Sequence, residues 1–171
     1  MTMATLADCV LFRHGIAEDA TERGVADAER RLTPRGQERT RQAAEGLRRW
    51  LDEPIEVLRS PLVRAHETAA IIAEVFGAQA RELGALAPGQ PTGVLGRELA
   101  MASAPRLPVA VGHEPDLSEL VAWVLGASSD AGLGLKKASA CRLSLPVSGA
   151  PYGRLHWLLP PRLLRCLGDE R

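Results

Sequence analysis

The sequence predicts an α/β fold, and three features carry that expectation. Short apolar runs at Cys9–Phe12, Ile55–Leu58 and Leu107–Val111 have the length and the β-branched or aromatic content of strands buried in a parallel sheet. Each run ends in a short polar motif, and each motif leads, directly or after a charged stretch, into a segment with helix signals. Parallel strands in such an order are joined by right-handed helical crossovers.

The first run, C-V-L-F, passes straight into Arg13, His14 and Gly15. After a polar segment, Thr33-Pro34 supplies a capping hydroxyl and a first-turn proline, and an Arg/Glu/Gln/Ala stretch predicts a helix to Trp50. Asp52 to Pro54 end it. The second run then closes on Arg59-Ser60-Pro61, where Ser60 and Pro61 read as the cap and first turn of a helix over Leu62–Phe76. In that helix Val63, Thr68, Ile71, Ile72 and Val75 fall near one face, and Gly77 is the stop.

Ala80–Leu83 predicts a weaker strand, and Pro88, Gly89, Pro91 and Gly93 mark a loop before a helix reaching Met101. The third run meets Gly112, His113, Glu114 and Pro115, then an apolar helix with Leu120, Val121, Val124 and Leu125. A Gly/Ser-rich loop separates this from two late strands, Ala140–Val147 and Leu155–Leu159. There is no internal repeat and no low-complexity tract.

Composition bounds the function. At 171 residues, 46% apolar and 25% charged, residues 1–171 read as one soluble globular domain. Lys plus Arg and Asp plus Glu are equal at 21 each, so no global basic field draws the chain to nucleic acid or a membrane. Cys9, Cys141 and Cys166 are odd in number and lack a C-x-x-C pair, which predicts reduced, mostly buried thiols rather than disulfides or zinc. With no basic-then-apolar start and no apolar run of about 20 residues, the expected location is the cytoplasm. A monomer is expected.

Ligands of open α/β sheets bind beyond the carboxyl ends of the strands. Parallel pairing would carry Arg13-His14, Ser60 to Arg64 and Gly112-His113 to that edge. Two arginines and two histidines, without a carboxylate set for a metal, suit a phosphoryl group, and neither metal nor cofactor is expected. The arginine fork donates parallel hydrogen bonds to phosphate oxygens, and the helix start near Pro61 adds free N–H groups. A neutral imidazole can attack phosphorus through one nitrogen if the other is fixed as a donor, and Gly15 permits the tight turn.

These residues resemble the histidine phosphatase superfamily, whose R-H-G signature stands here as Arg13-His14-Gly15. D-A-E-R-R-L-T-P-R-G from Asp27, S-P-L-V-R-A-H-E-T-A from Ser60 and V-G-H-E-P-D-L-S-E-L from Val111 are similar to its branch of small bacterial phosphohistidine phosphatases. L-K-K-A-S near Leu135 and W-L-L-P-P near Trp157 agree. The resemblance implies a three-layer α/β/α sandwich with a central, mostly parallel sheet, the phosphoglycerate-mutase-like fold. It implies further that His14 accepts the phosphoryl group, Arg13 and Arg64 hold nonbridging oxygens, and His113 is the second histidine of the pocket. Gly15, Ser60, Arg59 and Glu114 are the substrate-binding candidates beside them.

Superfamily members acting on phosphate esters commonly carry an additional acid after the third strand, yet Leu86-Ala87-Pro88-Gly89 offers no carboxylate. Glu82 and Glu114 are the substitutes to consider. Phosphohistidine tolerates the lack, because an imidazole of pKa about 6.5 leaves readily, whereas an alkoxide lies nearer water's roughly 15.7. The expected substrate is therefore phosphohistidine on another protein. The alternatives are a phosphomonoesterase for a sugar phosphate or nucleotide and, in another class, a non-catalytic phospho-ligand binding module.

Taken singly, several of these residues read more plainly. Arg13-His14 is a strand end and polar turn, His113 a helix-entry residue, and Arg64 a solvated arginine or a partner of Glu67; their motif positions reverse that preference. His66 and His156 read as structural, and Lys136-Lys137, the only lysines, as a solvated pair before a docking site for acidic partners.

Overall fold

A computed structural model describes residues 6–103, 105–128, 132–147 and 152–169. In chain order the elements are β1 (Leu6–Arg13), α1 (Ala20–Arg23), α2 (Pro34–Trp50), β2 (Ile55–Arg59), α3 (Val63–Phe76), β3 (Ala80–Glu82), α4 (Thr92–Ala102), β4 (Leu107–Gly112), α5 (Asp116–Leu125), β5 (Ala140–Pro146), β6 (Arg154–Leu159) and α6 (Pro161–Asp169). Single 3-10 turns occupy Asp27–Glu29 and Gly84–Leu86.

The six strands make one sheet in the order β3-β2-β4-β1-β5-β6. β3, β2, β4 and β1 pair in parallel, while β5 runs antiparallel to β1 and β6 antiparallel to β5. The expected mostly parallel sheet is therefore present, with the late pair forming an antiparallel extension.

The apolar runs explain the three layers. Successive β1 side chains point to opposite faces, so Val10 and Phe12 pack with Ala43, Leu47, Ile72 and Leu164, while Cys9 and Leu11 pack with Leu95, Leu99, Leu120 and Val121. One face thus carries α2, α3 and α6, and the other α4 and α5. All four residues of C-V-L-F are fully buried. Burying a side chain such as Phe12 contributes about 1.5–3 kcal/mol.

Local signals place α2 well: the Thr33 hydroxyl accepts from Gly36 N–H at 2.9 Å and Pro34 opens the helix. The start of α3 differs from expectation. Ser60 does not cap it; Leu62 is the N-cap, without a side-chain bond, and Val63 is the first helical residue. Ser60 N–H instead donates to Val111 O at 3.1 Å, which extends the parallel ladder past β2 and keeps that backbone strand-like.

β1 and β6 begin earlier than the apolar runs suggest, because β1 pairs from Leu6 with Pro146 and β6 pairs from Arg154 with Ser144. The Gly/Ser-rich loop before β5 lies partly outside the described residues. Two helices, α1 and α6, are absent from the sequence expectation. α6 crosses α2 at a bare spot, where a β-carbon on Gly46 would collide with the Leu164 carbonyl. Glycine costs helix α2 about 1 kcal/mol relative to alanine, and the close approach of α6 offsets it.

Cys9 and Cys141 are buried and unpaired, and burial pushes the Cys141 thiol up to about 12 and raises that of Cys9. Cys166 on α6 is exposed. Among the described residues no helix is long and apolar enough to cross a membrane.

Candidate active site

Because β2, β4 and β1 are neighbours, their carboxyl ends deliver Arg59-Ser60, Gly112-His113 and Arg13-His14 to one rim. His14 N–H donates to Gly112 O at 3.1 Å, locking the two histidine-bearing ends together.

His14 is only 5% exposed, and its Nδ1 lies 2.7 Å from the Gly15 carbonyl oxygen. A carbonyl only accepts, so Nδ1 carries the hydrogen and the neutral ring keeps its lone pair on Nε2. Gly15 is itself held: its N–H donates to Thr68 Oγ1 at 3.0 Å, and that hydroxyl donates to Arg64 O at 2.7 Å. A β-carbon on Gly15 would collide with Thr40 Oγ1. Burial lowers the His14 pKa to about 3; the Gly15 bond opposes this, and the charges of Arg64 and Arg13 add to it. The imidazole is neutral at pH 7.

His113 is likewise buried, with its ring centroid 5.0 Å from that of His14. Its Nε2 lies 2.8 Å from Ser60 Oγ. Ser60 Oγ also accepts from Leu62 N–H at 3.3 Å; when the hydroxyl donates its own proton to Nε2, the ring hydrogen stands on Nδ1. Burial, then Arg64, lowers the His113 pKa to about 4.

The arginines are anchored by their outer nitrogens. Arg13 Nη1 donates to Leu135 O at 2.6 Å; Arg64 Nη1 donates to Asp27 O at 2.6 Å and Nη2 to Asp27 Oδ2 at 3.0 Å. The Nε groups of both arginines and Nδ1 of His113 are buried with no partner among the described residues. A buried donor left unpaired costs about 1–3 kcal/mol. Unpaired N–H groups on two arginines close enough to act on the His14 ring, with His113 beside it, are the complement of an oxyanion.

The other candidates stand at varying distance from this centre. Ser60, fully buried, reaches it through His113. Arg59 Nη1 is engaged by Glu82 at 3.0 Å and the Ser60 carbonyl at 3.2 Å. Glu114 accepts from the Ser118 hydroxyl at 2.5 Å and from Leu135 N–H at 3.3 Å, so it pins the segment whose carbonyl holds Arg13. Glu67 pairs with Arg31 and Leu32 N–H rather than with Arg64. His66 is exposed on α3, and His156 bonds Ser144 on the β5–β6 surface.

Sequence reasoning assigned no role to Asp27 or Thr68. Asp27 opens the D-A-E-R-R motif, and Thr68 stands one helical turn after Arg64, the i+4 spacing that puts two residues on one face. Among the described residues no three His, Cys, Asp or Glu side chains are gathered as metal ligands would be.

The buried histidines couple stability to pH. Both folded pKa values lie below the unfolded value of about 6.5, so between pH 6.5 and 4 the unfolded chain binds protons that the folded one does not. Stability is therefore fully present above about pH 6.5 and is lost as pH falls, by up to about 1.4 kcal/mol per pH unit for each histidine. Urea midpoints at pH 7, 6 and 5 are expected to decline in the wild type and to flatten in a His14→Gln/His113→Gln variant. An equal slope in both would contradict the buried neutral pair.

Fold and site together define an α/β protein whose sheet rim holds two buried histidines and two arginines, a set complementary to a phosphoryl-sized anion. The sequence model of the histidine phosphatase superfamily, branch 1, matches residues 9–88. An uncharacterized protein of Picosynechococcus sp. is 35% identical over 167 residues, covering 87% of this chain and 97% of its own. The solved structure of the protein histidine phosphatase SixA complexed with tungstate is 25% identical with a TM-score of 0.76, covering 92% of this chain and 99% of SixA. A mycobacterial glucosyl-3-phosphoglycerate phosphatase shares the fold at 20% identity and a TM-score of 0.69, over 91% of this chain and all of that one (100%). The chain belongs to the histidine phosphatase superfamily and is a phosphatase, with the phosphoglycerate-mutase-like sandwich of that family.

Proposed function

We propose that this phosphatase removes phosphoryl groups from phosphohistidine on another protein, through a covalent phosphohistidine at His14. The observation that carries this reading is where the carboxylates go. Asp27 is tied to Arg64, Glu82 to Arg59, and Glu114 to Ser118 and Leu135 N–H, so none of these three carboxyls stands free as an acid for an alkoxide. A leaving imidazole protonated on its distal nitrogen departs neutral and needs no such acid. The likeness to the protein histidine phosphatase SixA supports the same substrate class.

In the first step His14 Nε2 forms a bond to phosphorus as the substrate's P–N bond breaks, while Arg13, Arg64 and His113 Nδ1–H hold the nonbridging oxygens. In the second, the oxygen of a water bonds phosphorus, the Nε2–P bond breaks, and inorganic phosphate leaves with the water's hydrogens. The Gly15 carbonyl keeps the Nδ1 proton in place through both steps. Ser60 acts as a positioning residue for His113, and Asp27 for Arg64. We read residues 1–171 as one such domain, acting as a cytoplasmic monomer, where its free thiols stay reduced.

Initial rates on a synthetic phosphohistidine peptide, free phosphohistidine, p-nitrophenyl phosphate and a panel of sugar phosphates and nucleotides test the proposal. The peptide is expected to lead in kcat/KM by about tenfold or more, the gain of one well-placed interaction of about 1.4 kcal/mol. Faster turnover of a sugar phosphate or nucleotide would make this a small-molecule phosphomonoesterase instead.

A further inference from the structure

A cavity of about 450 Å³ opens beside the phosphoryl pocket, with Arg13 as their shared wall. His14, Arg64 and His113 do not line it. Besides Arg13 its charged lining consists of Arg39 from α2, Lys136 and Lys137 from the segment before β5, and Arg162 and Arg165 from α6. No carboxylate lines it.

This segregation is not a by-product of net charge, since the chain's cations and anions balance at 21 each. Elsewhere eight arginines, Arg64 of the active site among them, hold carboxylates within 4.0 Å, but none of the six cations of the groove has a salt bridge among the described residues. Gathering like charges without counterions costs free energy, and a ligand of opposite sign recovers it. The groove also communicates with the catalytic centre: burial, then the charges of Arg13, Arg30 and Arg64, lowers the Lys137 pKa.

We infer that this groove is a specificity site that receives acidic side chains flanking the phosphohistidine of the substrate protein. The inference rests on the proposed function and deepens it. Two features favour a peptide over a small polyanion. The cations come from four separate segments, β1, α2, the stretch before β5 and α6, and Ile16, Ala138, Pro160 and Pro161 supply apolar lining for the methylene stems of Asp and Glu. The shared Arg13 sets the register: with the phosphoryl group at His14, residues on one side of the phosphohistidine enter the groove.

The test uses two synthetic phosphohistidine peptides that differ only in having Asp and Glu, or Asn and Gln, around the phosphohistidine. The enzymes are wild type, Arg162→Gln/Arg165→Gln and, as a second variant, Arg39→Gln. Wild type is expected to favour the acidic peptide through KM by about tenfold at low salt, an advantage that shrinks at 0.5 M NaCl because screening acts on exposed charge pairs. The double variant loses that advantage, with kcat on p-nitrophenyl phosphate unchanged. Equal KM for the two peptides, or an advantage that survives the variants, overturns the inference. So does groove-dependent turnover of fructose 1,6-bisphosphate in place of the peptides, which would assign the groove to small polyanions. If neither peptide outruns p-nitrophenyl phosphate, the phosphohistidine reading fails. Fluorescence anisotropy of labelled peptides on His14→Ala then judges the groove separately, by whether the acidic peptide binds tighter and loses that preference in the Arg162→Gln/Arg165→Gln background.

Discussion

His14→Ala is expected to abolish turnover, with kcat falling by about four orders of magnitude or more, the scale on which removing a covalent nucleophile acts. The variant deletes the one Nε2 lone pair that the Gly15 contact presents to the pocket. It is expected to fold, because an alanine replaces a buried ring whose neutral state already costs stability in acid; its urea midpoint at pH 5 should equal or exceed that of wild type. Acid-labile phosphoenzyme, trapped by rapid quench, should form in wild type and be missing in the variant. Substantial turnover by folded His14→Ala would remove the imidazole from the nucleophile's role.

Arg64→Ala carries the second-largest effect, a loss of about 10²–10³ in kcat/KM, typical of deleting one preorganised donor to the transition state. Stability should change by under about 1 kcal/mol on account of the Asp27 pair, because the Asp27 side chain is 63% exposed and such pairs are screened. The informative comparison is Arg64→Lys. A lysine has one ammonium where arginine divides its labour, Nη1 and Nη2 on Asp27 and a buried Nε left unpartnered, so it should recover little of the lost rate. Near-wild-type activity of Arg64→Lys would show that charge alone suffices and that the fork geometry is irrelevant.

Much of the fold was legible because its signals are local. The four residues Cys9–Phe12 are apolar without alternation, which is how a strand covered on both faces reads, and both cores indeed meet on β1. Thr33-Pro34 and Gly77 mark helix ends through bonds and dihedral angles that involve only a few neighbouring residues. α6 was not legible in this way. It spans nine residues, Pro161–Asp169, opening on the second of two prolines, and Leu164 gains its burial only by crossing Gly46, more than a hundred residues earlier. The start of α3 moved for a similar reason, since the Ser60 backbone answers to Val111 on β4 rather than to its own successors.

The candidate site divides along the same line. The sequence by itself determined which chemistry was available: two histidines and two arginines in motifs that follow buried strands, with an uncommitted anion as their natural complement. It also determined the family, because motif order along the chain is a one-dimensional property. Only the tertiary structure decided which nitrogen of each histidine is tied, since that depends on the Gly15 carbonyl and the Ser60 hydroxyl standing 2.7 and 2.8 Å away. It alone committed Asp27, Glu82 and Glu114 to partners, and it alone assembled the basic groove from residues 13, 39, 136, 137, 162 and 165. The physical reason is common to all of these. Strand and helix propensity act over a few residues, whereas protonation, ion pairing and electrostatic potential depend on distances through space that sheet register and helix packing set.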